Sequence, residues 1–206
     1  MKSKENIVFL GMMGSGKSSI GKLLSKKLNL KFRDIDEIIE DKLSMTIADI
    51  FIKKGENFFR DFEEKLTLDI LKKENIIISL GGGAFMNKNI RDEILKNHYS
   101  FWLNWNSKTL IKRIKNSAKR PIAFKSSTKE LLNLIKKRSF TYSKASYKIN
   151  CEQLSKNEIV NKVINIYENK KNNKRKRRYF LLNNFKIFIR NYFFNIFFWG
   201  WKINFI

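Results

Sequence analysis

Apolar residues in this chain form short runs that alternate with longer segments of helical spacing. The runs predict strands at residues 6–10, 31–35, 76–80 and 99–103. The helical spacing predicts helices at residues 20–30, 37–54, 58–73 and 107–114. Strands that alternate with helices in this way indicate a parallel sheet covered by helices on both faces. The predicted fold class is therefore α/β, with three layers in the order αβα.

Glycine-rich or acidic groups follow three of the predicted strands. Gly11 begins a glycine-rich turn after the first strand, Asp34 and Asp36 end the second, and the glycines at 81–83 follow the third. Ligands of parallel α/β sheets bind beyond the carboxyl ends of the strands. We therefore expect a binding site where these three groups meet.

Residues 11–18 read GMMGSGKS and match the phosphate-loop pattern G-x-x-x-x-G-K-[ST] between a predicted strand and a predicted helix. Glycines let successive backbone N–H groups turn inward around phosphate oxygens. Lys17 is expected to contact the β and γ phosphates, and Ser18 to offer its hydroxyl to Mg²⁺. The alternative is a tight strand-to-helix turn that binds nothing. The pattern favours a nucleoside triphosphate and a small phosphoryl-transfer enzyme.

Asp34 and Asp36 stand two residues apart in a segment that is expected to be extended, which would turn both side chains toward one site. One carboxylate is then suited to Mg²⁺ or its water ligands, and the other to a substrate hydroxyl. An alternative role for Asp36 is the N-cap of the following helix.

Arg60 and Glu63 stand three residues apart on a predicted helix and therefore share one of its faces. An arginine steadied by a carboxylate is suited to bind a substrate carboxylate, because its planar fork reaches both oxygens. The alternative is an ordinary exposed salt bridge.

Composition limits the function classes. The 206 residues include 43 Lys and Arg against 19 Asp and Glu, a net charge of +24, while 43% are apolar and only one is proline. Such a chain buries a sizeable core, which excludes wholesale disorder and collagen-like structure. The charge suits nucleic acid, but 33 Lys against 10 Arg is also typical of an AT-biased coding sequence. Cys151 has no intramolecular disulfide partner, and no leader segment opens the chain, so a cytoplasmic location is expected.

Six motifs in order along residues 6–167 resemble the shikimate kinase family, small P-loop kinases that use ATP to phosphorylate the 3-hydroxyl of shikimate in chorismate and aromatic amino-acid biosynthesis. Besides the phosphate loop and D-x-D, they are G-E-x-x-F-R-x-x-E at 55–63, L-G-G-G at 80–83, R-P at 120–121 and R-x-x-x-Y at 138–142. Two residues after Arg138 the family usually has proline, where this chain has Phe140.

The resemblance implies a role for each matched residue. The implied ATP-binding residues are Gly14, Ser15, Gly16, Lys17, Ser18, Ser19, Arg113 and Arg120, with Arg113 near the adenine. The implied shikimate-binding residues are Asp36, Arg60, Gly82 and Arg138. The implied catalytic residues are Lys17, Asp36 and Arg120. Ser18 and Asp34, the latter through water, are the implied holders of Mg²⁺, the only cofactor expected. Gly82 is expected to bring a backbone amide close to the shikimate ring, which a side chain would prevent.

The resemblance further implies a kinase domain over residues 1–169 with a lid at about 113–128, a monomeric state and no obligatory protein partner. Residues 170–206 follow as a separate extension with ten basic and no acidic side chains, and it is rich in Phe and Trp. Two hypotheses for this tail stay open: a dispensable extension, or a segment that attaches to an anionic membrane surface. A nucleic-acid partner is not expected.

Two alternatives to a shikimate kinase stay open at the level of the sequence. One is a related small-molecule kinase with another hydroxylated acid, such as gluconate, as acceptor. The other is a decayed kinase that binds nucleic acid or a membrane surface. The paired arginines with Asp36 and the three glycines favour shikimate, and the intact Lys17 and Ser18 argue against decay.

Overall fold

The computed structural model of the chain describes residues 5–116, 126–173 and 176. Its contacts divide the chain into two units, Met1–Val163 and Ile164–Ile206, and the fold that follows is that of the first. The strands are β1 (Ile7–Leu10), β2 (Lys31–Asp34), β3 (Ile76–Ser79), β4 (Tyr99–Asn104) and β5 (Tyr147–Asn150). The α-helices are α1 (Lys17–Leu28), α2 (Ile35–Leu43), α3 (Ile47–Leu71), α4 (Lys88–Asn97), α5 (Ser107–Lys115), α6 (Thr128–Tyr142) and α7, which begins at residue 156.

The five strands form one parallel sheet in the order β2-β3-β1-β4-β5. Every residue of β1 and β3 is buried, as expected for central strands covered on both faces, whereas the edge strands β2 and β5 alternate between buried and exposed positions. The predicted αβα class is confirmed. Because β2, β3 and β1 are parallel neighbours, the three groups that follow them do meet at one edge.

The helices between β2 and β3 differ from the prediction. The chain breaks first at Ser44, which has a φ of 49° and separates α2 from α3. The predicted interruption between residues 54 and 58 is also present, because Gly55 has non-helical backbone angles and kinks α3 there; its φ of 83° is accessible to glycine at little cost. The kink redirects the second half of α3, which carries Arg60 and Glu63. Helices α4 and α7 and strand β5 were not predicted.

At the amino-terminal edge of the sheet, hydrogen bonds of Asn6 connect the start of β1 to the segments before β3 and β4. The buried side chain of Asn6 donates to the carbonyl of Lys73 at 2.7 Å and accepts from the backbone of Ile76 at 3.1 Å. The Asn6 backbone N–H donates to Nδ1 of His98 at 3.1 Å, so the imidazole accepts there in its neutral form. Burial lowers the pKa of His98, although the nearby carboxylate of Glu93 opposes the shift.

Candidate active site

The phosphate loop connects β1 to α1. Gly14 and Gly16 have φ angles of 78° and 88°, which glycine adopts without strain. The side chain of Lys17 is buried in the loop, and its ammonium donates to the carbonyls of Gly11 at 2.9 Å and Met12 at 3.1 Å. The loop therefore holds its cation at the N-terminus of α1, the end of a helix that favours phosphate.

Ser18 and Asp34 meet beside the loop. The Ser18 hydroxyl donates to Oδ2 of Asp34 at 2.5 Å. The other carboxylate oxygen of Asp34 accepts from the backbone N–H of Asp36 at 3.1 Å and of Glu37 at 3.4 Å, so that Asp34 caps α2. The two residues that are expected to hold Mg²⁺ thus lie in hydrogen-bond contact.

The expected geometry of Asp36 is wrong in two respects. Asp36 lies in the first turn of α2 and not in an extended segment, and the N-cap of that helix is Asp34 and not Asp36. The cause is the capping bond itself, because the chain must turn into the helix immediately after β2 to bring two N–H groups onto one Asp34 oxygen.

Asp36 and Glu63 converge at Gly81. A β-carbon built on Gly81 would lie 2.7 Å from Oδ1 of Asp36 and 2.5 Å from Oε1 of Glu63, closer than real side chains approach. Burial raises the pKa of Glu63, and the charge of Asp36 adds to the shift while Arg60 opposes it. Oε1 of Glu63 has no hydrogen-bond partner among the described residues. The fold therefore turns two carboxylates toward one point of the glycine turn.

Arg60 is held between two carboxylates. Its Nη1 donates to Glu63 at 2.7 Å, while Nε and Nη2 both donate to Oε1 of Glu56 at 3.2 Å. The guanidinium also lies over the rings of Phe51 and Phe59. Since the Glu63 side chain is only 2% exposed, this is not the ordinary exposed salt bridge of the alternative hypothesis.

Helix α6 binds the glycine turn through two side chains. Arg138 donates to the carbonyl of Gly82 at 3.3 Å, and the hydroxyl of Tyr142 donates to the same carbonyl. Burial raises the pKa of Tyr142 to about 12, which keeps its hydroxyl a donor. Phe140, which stands where the family usually has proline, is 74% exposed, and Arg138 contacts the turn with Phe140 in that place.

A cavity of about 570 Å³ opens between α3, α6 and the glycine turn. The charged residues on its wall are Glu56, Arg60, Glu63, Lys137 and Arg138. Glu56, Lys137 and Tyr142 were not predicted as site residues. The motifs G-E at 55–56 and R-x-x-x-Y at 138–142 contain two of them, whereas no pattern distinguishes Lys137 from other lysines.

Two further residues predicted to bind ATP, Arg113 and Ser19, are exposed. Arg113 is exposed on α5, and its guanidinium lies over the ring of Trp105, 3.7 Å from the centroid. Ser19 is exposed in the first turn of α1. Arg120 lies outside the described residues. Arg113 itself and Thr128 belong to α5 and α6, so both ends of the predicted lid are helical.

A phosphate loop after the central strand of a parallel sheet, beside a cavity lined by two arginines and a buried carboxylate, defines a P-loop kinase whose acceptor is a small acid. A family model for shikimate kinase matches residues 13–168. Residues 13–168 are most of the chain, and the chain belongs to the shikimate kinase family. The resemblance predicted from the motifs, and the class of phosphotransferases with an alcohol acceptor, are confirmed.

Curated relatives and solved structures agree with this assignment. The shikimate kinase of Sulfurihydrogenibium sp. (strain YO3AOP1) is 39% identical over 160 residues, which cover 78% of this chain and 96% of that protein. The shikimate kinase of Bacillus subtilis (strain 168) is 38% identical over 78% of this chain and 88% of its own length. The structure of the Acinetobacter baumannii shikimate kinase in complex with shikimate has 26% identity and a TM-score of 0.76, covering 82% of this chain and 96% of that one.

Proposed function

We propose that this protein transfers the γ-phosphoryl group of ATP to the 3-hydroxyl of shikimate, with the acid in the cavity between α3 and α6. The predicted activity, ATP-dependent phosphorylation of shikimate, is that of the family to which the chain belongs. The observation that carries the residue assignments is the position of Arg60 and Arg138 on the wall of one cavity, beside the phosphate loop. Two guanidinium groups there supply the charge that a small carboxylic acid requires.

The nucleotide end of the proposal rests on Lys17, Ser18 and Asp34. Lys17 places its ammonium at the β and γ phosphates, where it stabilises the charge of the transferring group. A hydroxyl and a carboxylate oxygen 2.5 Å apart form a hard oxygen donor set, which fits Mg²⁺. When bound, Mg²⁺ neutralises charge on the phosphate oxygens.

Binding of the shikimate carboxylate requires that Arg60 exchange one of its two carboxylate partners. The Nε and Nη2 edge of its fork binds Glu56, whose side chain is 63% exposed. Nη1 stays with the buried Glu63. We propose that the shikimate carboxylate takes the place of Glu56 at the open edge, while Glu63 fixes the orientation of the guanidinium. An exposed partner is given up at little cost in free energy, whereas a buried one is not.

Asp36 is the proposed acceptor of the proton. Its carboxylate lies at Gly81, next to the glycine turn and within the same edge of the sheet as the phosphate loop. There it accepts a hydrogen bond from the hydroxyl and takes up the proton as the oxygen bonds to the γ phosphorus and ADP departs. We retain Gly82 as a shikimate contact and Arg120, outside the described residues, as a lid residue that stabilises the transferring phosphoryl group.

The oligomeric state, the location and the domain division of the chain remain predictions: a monomer, in the cytoplasm, with a kinase domain followed by the tail from residue 170. Most of the tail lies outside the described residues. No helix among the described residues is long and apolar enough to cross a membrane.

The test is ADP release by the full chain with Mg·ATP, with and without shikimate, and with gluconate as the control acid. We expect release that depends on shikimate alone. Arg60→Lys keeps the charge but loses the fork, and is expected to raise the KM for shikimate about tenfold or more while the KM for ATP stays within twofold. Release that depends on gluconate, or an Arg60→Lys variant with an unchanged KM for shikimate, would refute the proposal.

A further inference from the structure

Trp105 joins the phosphate loop to Arg113. It follows β4, at the carboxyl edge of the sheet, and is partly buried. Its indole N–H donates to the carbonyl of Ser15 in the phosphate loop at 2.9 Å. The guanidinium of Arg113 lies over the ring of Trp105, 3.7 Å from the centroid.

The two contacts fix Arg113 with one side against the protein. At 3.7 Å the planar guanidinium stacks on the indole and gains a cation–π interaction. A β-carbon on Gly14 would lie 3.5 Å from Cβ of Arg113, so the stem of the arginine also passes next to the phosphate loop. Arg113 is nevertheless exposed, which leaves part of its surface open to a ligand.

Hydrogen bonds hold the segments around this Trp105–Arg113 stack in place. Glu152, after β5, accepts from the backbone of Asn106 at 3.1 Å and from the hydroxyl of Thr109 at 2.5 Å, which ties the end of β5 to the start of α5. Asn106 also caps α5, the helix that carries Arg113. The end of the phosphate loop away from the acid cavity is therefore a rigid platform with a flat cationic group on it.

We infer that Trp105 is a positioning residue for the nucleotide base: it holds the Arg113 guanidinium flat so that the base stacks on it in the order indole, guanidinium, base. This inference rests on the proposed function for the identity of the nucleotide. An exposed arginine otherwise loses side-chain rotamer freedom when it binds a ligand, and the Trp105 contact removes that freedom in advance. The indole N–H fixes the ring relative to the loop that binds the phosphates, so base and phosphates are held in one frame.

The test compares ligands with and without a base. We would measure the binding of Mg·ADP and of Mg·tripolyphosphate to the full chain by calorimetry, for the wild type, Trp105→Leu, Trp105→Phe and Arg113→Ala. Phe140→Leu is the matched control, because it also removes an aromatic ring on which a cation lies, in this case the ammonium of Lys144. Phe140 is exposed and is not part of the cavity wall.

We expect Trp105→Leu to bind ADP on the order of five- to tenfold more weakly and tripolyphosphate within twofold of the wild type. Trp105→Phe keeps a ring under Arg113 and should lose less. In the Arg113→Ala background, the leucine substitution should add less than twofold, since its effect passes through that arginine. Phe140→Leu should match the wild type.

Two results would overturn the inference: ADP binding by Trp105→Leu within twofold of the wild type, or equal losses for ADP and tripolyphosphate, which would assign Trp105 to the shape of the loop alone. If Trp105→Leu does not fold, Arg113→Ala and Trp105→Phe decide the question by the same comparison. Failure of the proposed function has a different signature, a wild type that binds ADP without shikimate-dependent turnover or does not bind it.

Discussion

Substitution of Gly83 by alanine tests the acid site without removing any of its charged groups. A β-carbon on Gly83 would lie 2.6 Å from Nη1 and 2.9 Å from Nη2 of Arg60, whereas ordinary contacts begin at 3.4 Å. The φ of Gly83 is −103°, so alanine imposes no backbone strain and acts through this contact alone. The guanidinium must therefore shift by about 0.8 Å, since the methyl group is fixed and the end of the arginine is flexible.

A shift of this size changes the position of the Arg60 guanidinium but leaves the protein folded. Loss of one charge-assisted hydrogen bond to the acid costs about 1.5–3 kcal/mol, or roughly 10- to 100-fold in KM. The KM for ATP should stay within twofold, because the phosphate loop is not touched. The melting temperature should fall by a few degrees, because Nη1 of Arg60 also binds the buried Glu63.

Gly21→Ala is the opposite control. Its β-carbon would overlap the ring of Phe32, which packs between α1 and β2 away from the acid cavity. Overpacking costs about 1–3 kcal/mol, partly offset by the better helix propensity of alanine, so this variant should lower the melting temperature and leave the KM for shikimate unchanged.

Steady-state ADP release at varied shikimate and saturating ATP, together with thermal unfolding, measures both quantities. A double-mutant cycle with Arg60→Ala provides the decisive comparison, because the Gly83 effect should nearly vanish when the guanidinium is absent. A folded Gly83→Ala protein with a wild-type KM for shikimate, or an effect of Gly83→Ala that is undiminished in the Arg60→Ala background, would refute the reasoning.

Three further predictions concern single residues. Lys17→Ala should lower kcat at least about 100-fold, because a preorganised cation is lost from the phosphates, and rapid-quench turnover near the wild-type rate would contradict its role. Tyr142→Phe removes one of two donors to the Gly82 carbonyl, which should cost about 1 kcal/mol in urea unfolding and raise the KM for shikimate several-fold; no change in either quantity would contradict the assignment. His98 has a pKa below its ordinary value of 6.5, so the unfolded chain binds this proton more readily. Its stabilising contribution is complete above about pH 6.5 and falls as the pH drops through the folded-state pKa, and His98→Gln should flatten that part of the pH profile of unfolding; an unchanged profile would contradict the shift.

Residues near one another in sequence account for most of what was predictable. The phosphate loop, the strands before it and after it, and the Arg60–Glu63 pair follow from spacing within one strand, turn or helix. The meeting of three strand ends also followed, because carboxyl ends of parallel strands share an edge in any arrangement of this class.

The errors and omissions arise from hydrogen bonds and close contacts that form only in the folded chain. Asp36 was placed wrongly because the capping bonds of Asp34 turn the chain into α2 at Ile35, two residues before the predicted start of that helix. The close contacts of the glycines beside Gly82 were not predicted: β-carbons on Gly81 and Gly83 would collide with Glu63 and Arg60, whereas one on Gly82 meets no protein atom closer than 3.4 Å.

The sequence by itself determined the class of fold, the family and the chemistry of phosphate binding, because these depend on local patterns and on motifs in a fixed order. Only the tertiary structure decided which groups of different elements restrain one another: Tyr142 and Arg138 on the carbonyl of Gly82, and Trp105 beneath Arg113. The distances and burial of these contacts follow from how helices pack on the sheet, which no spacing along the chain encodes.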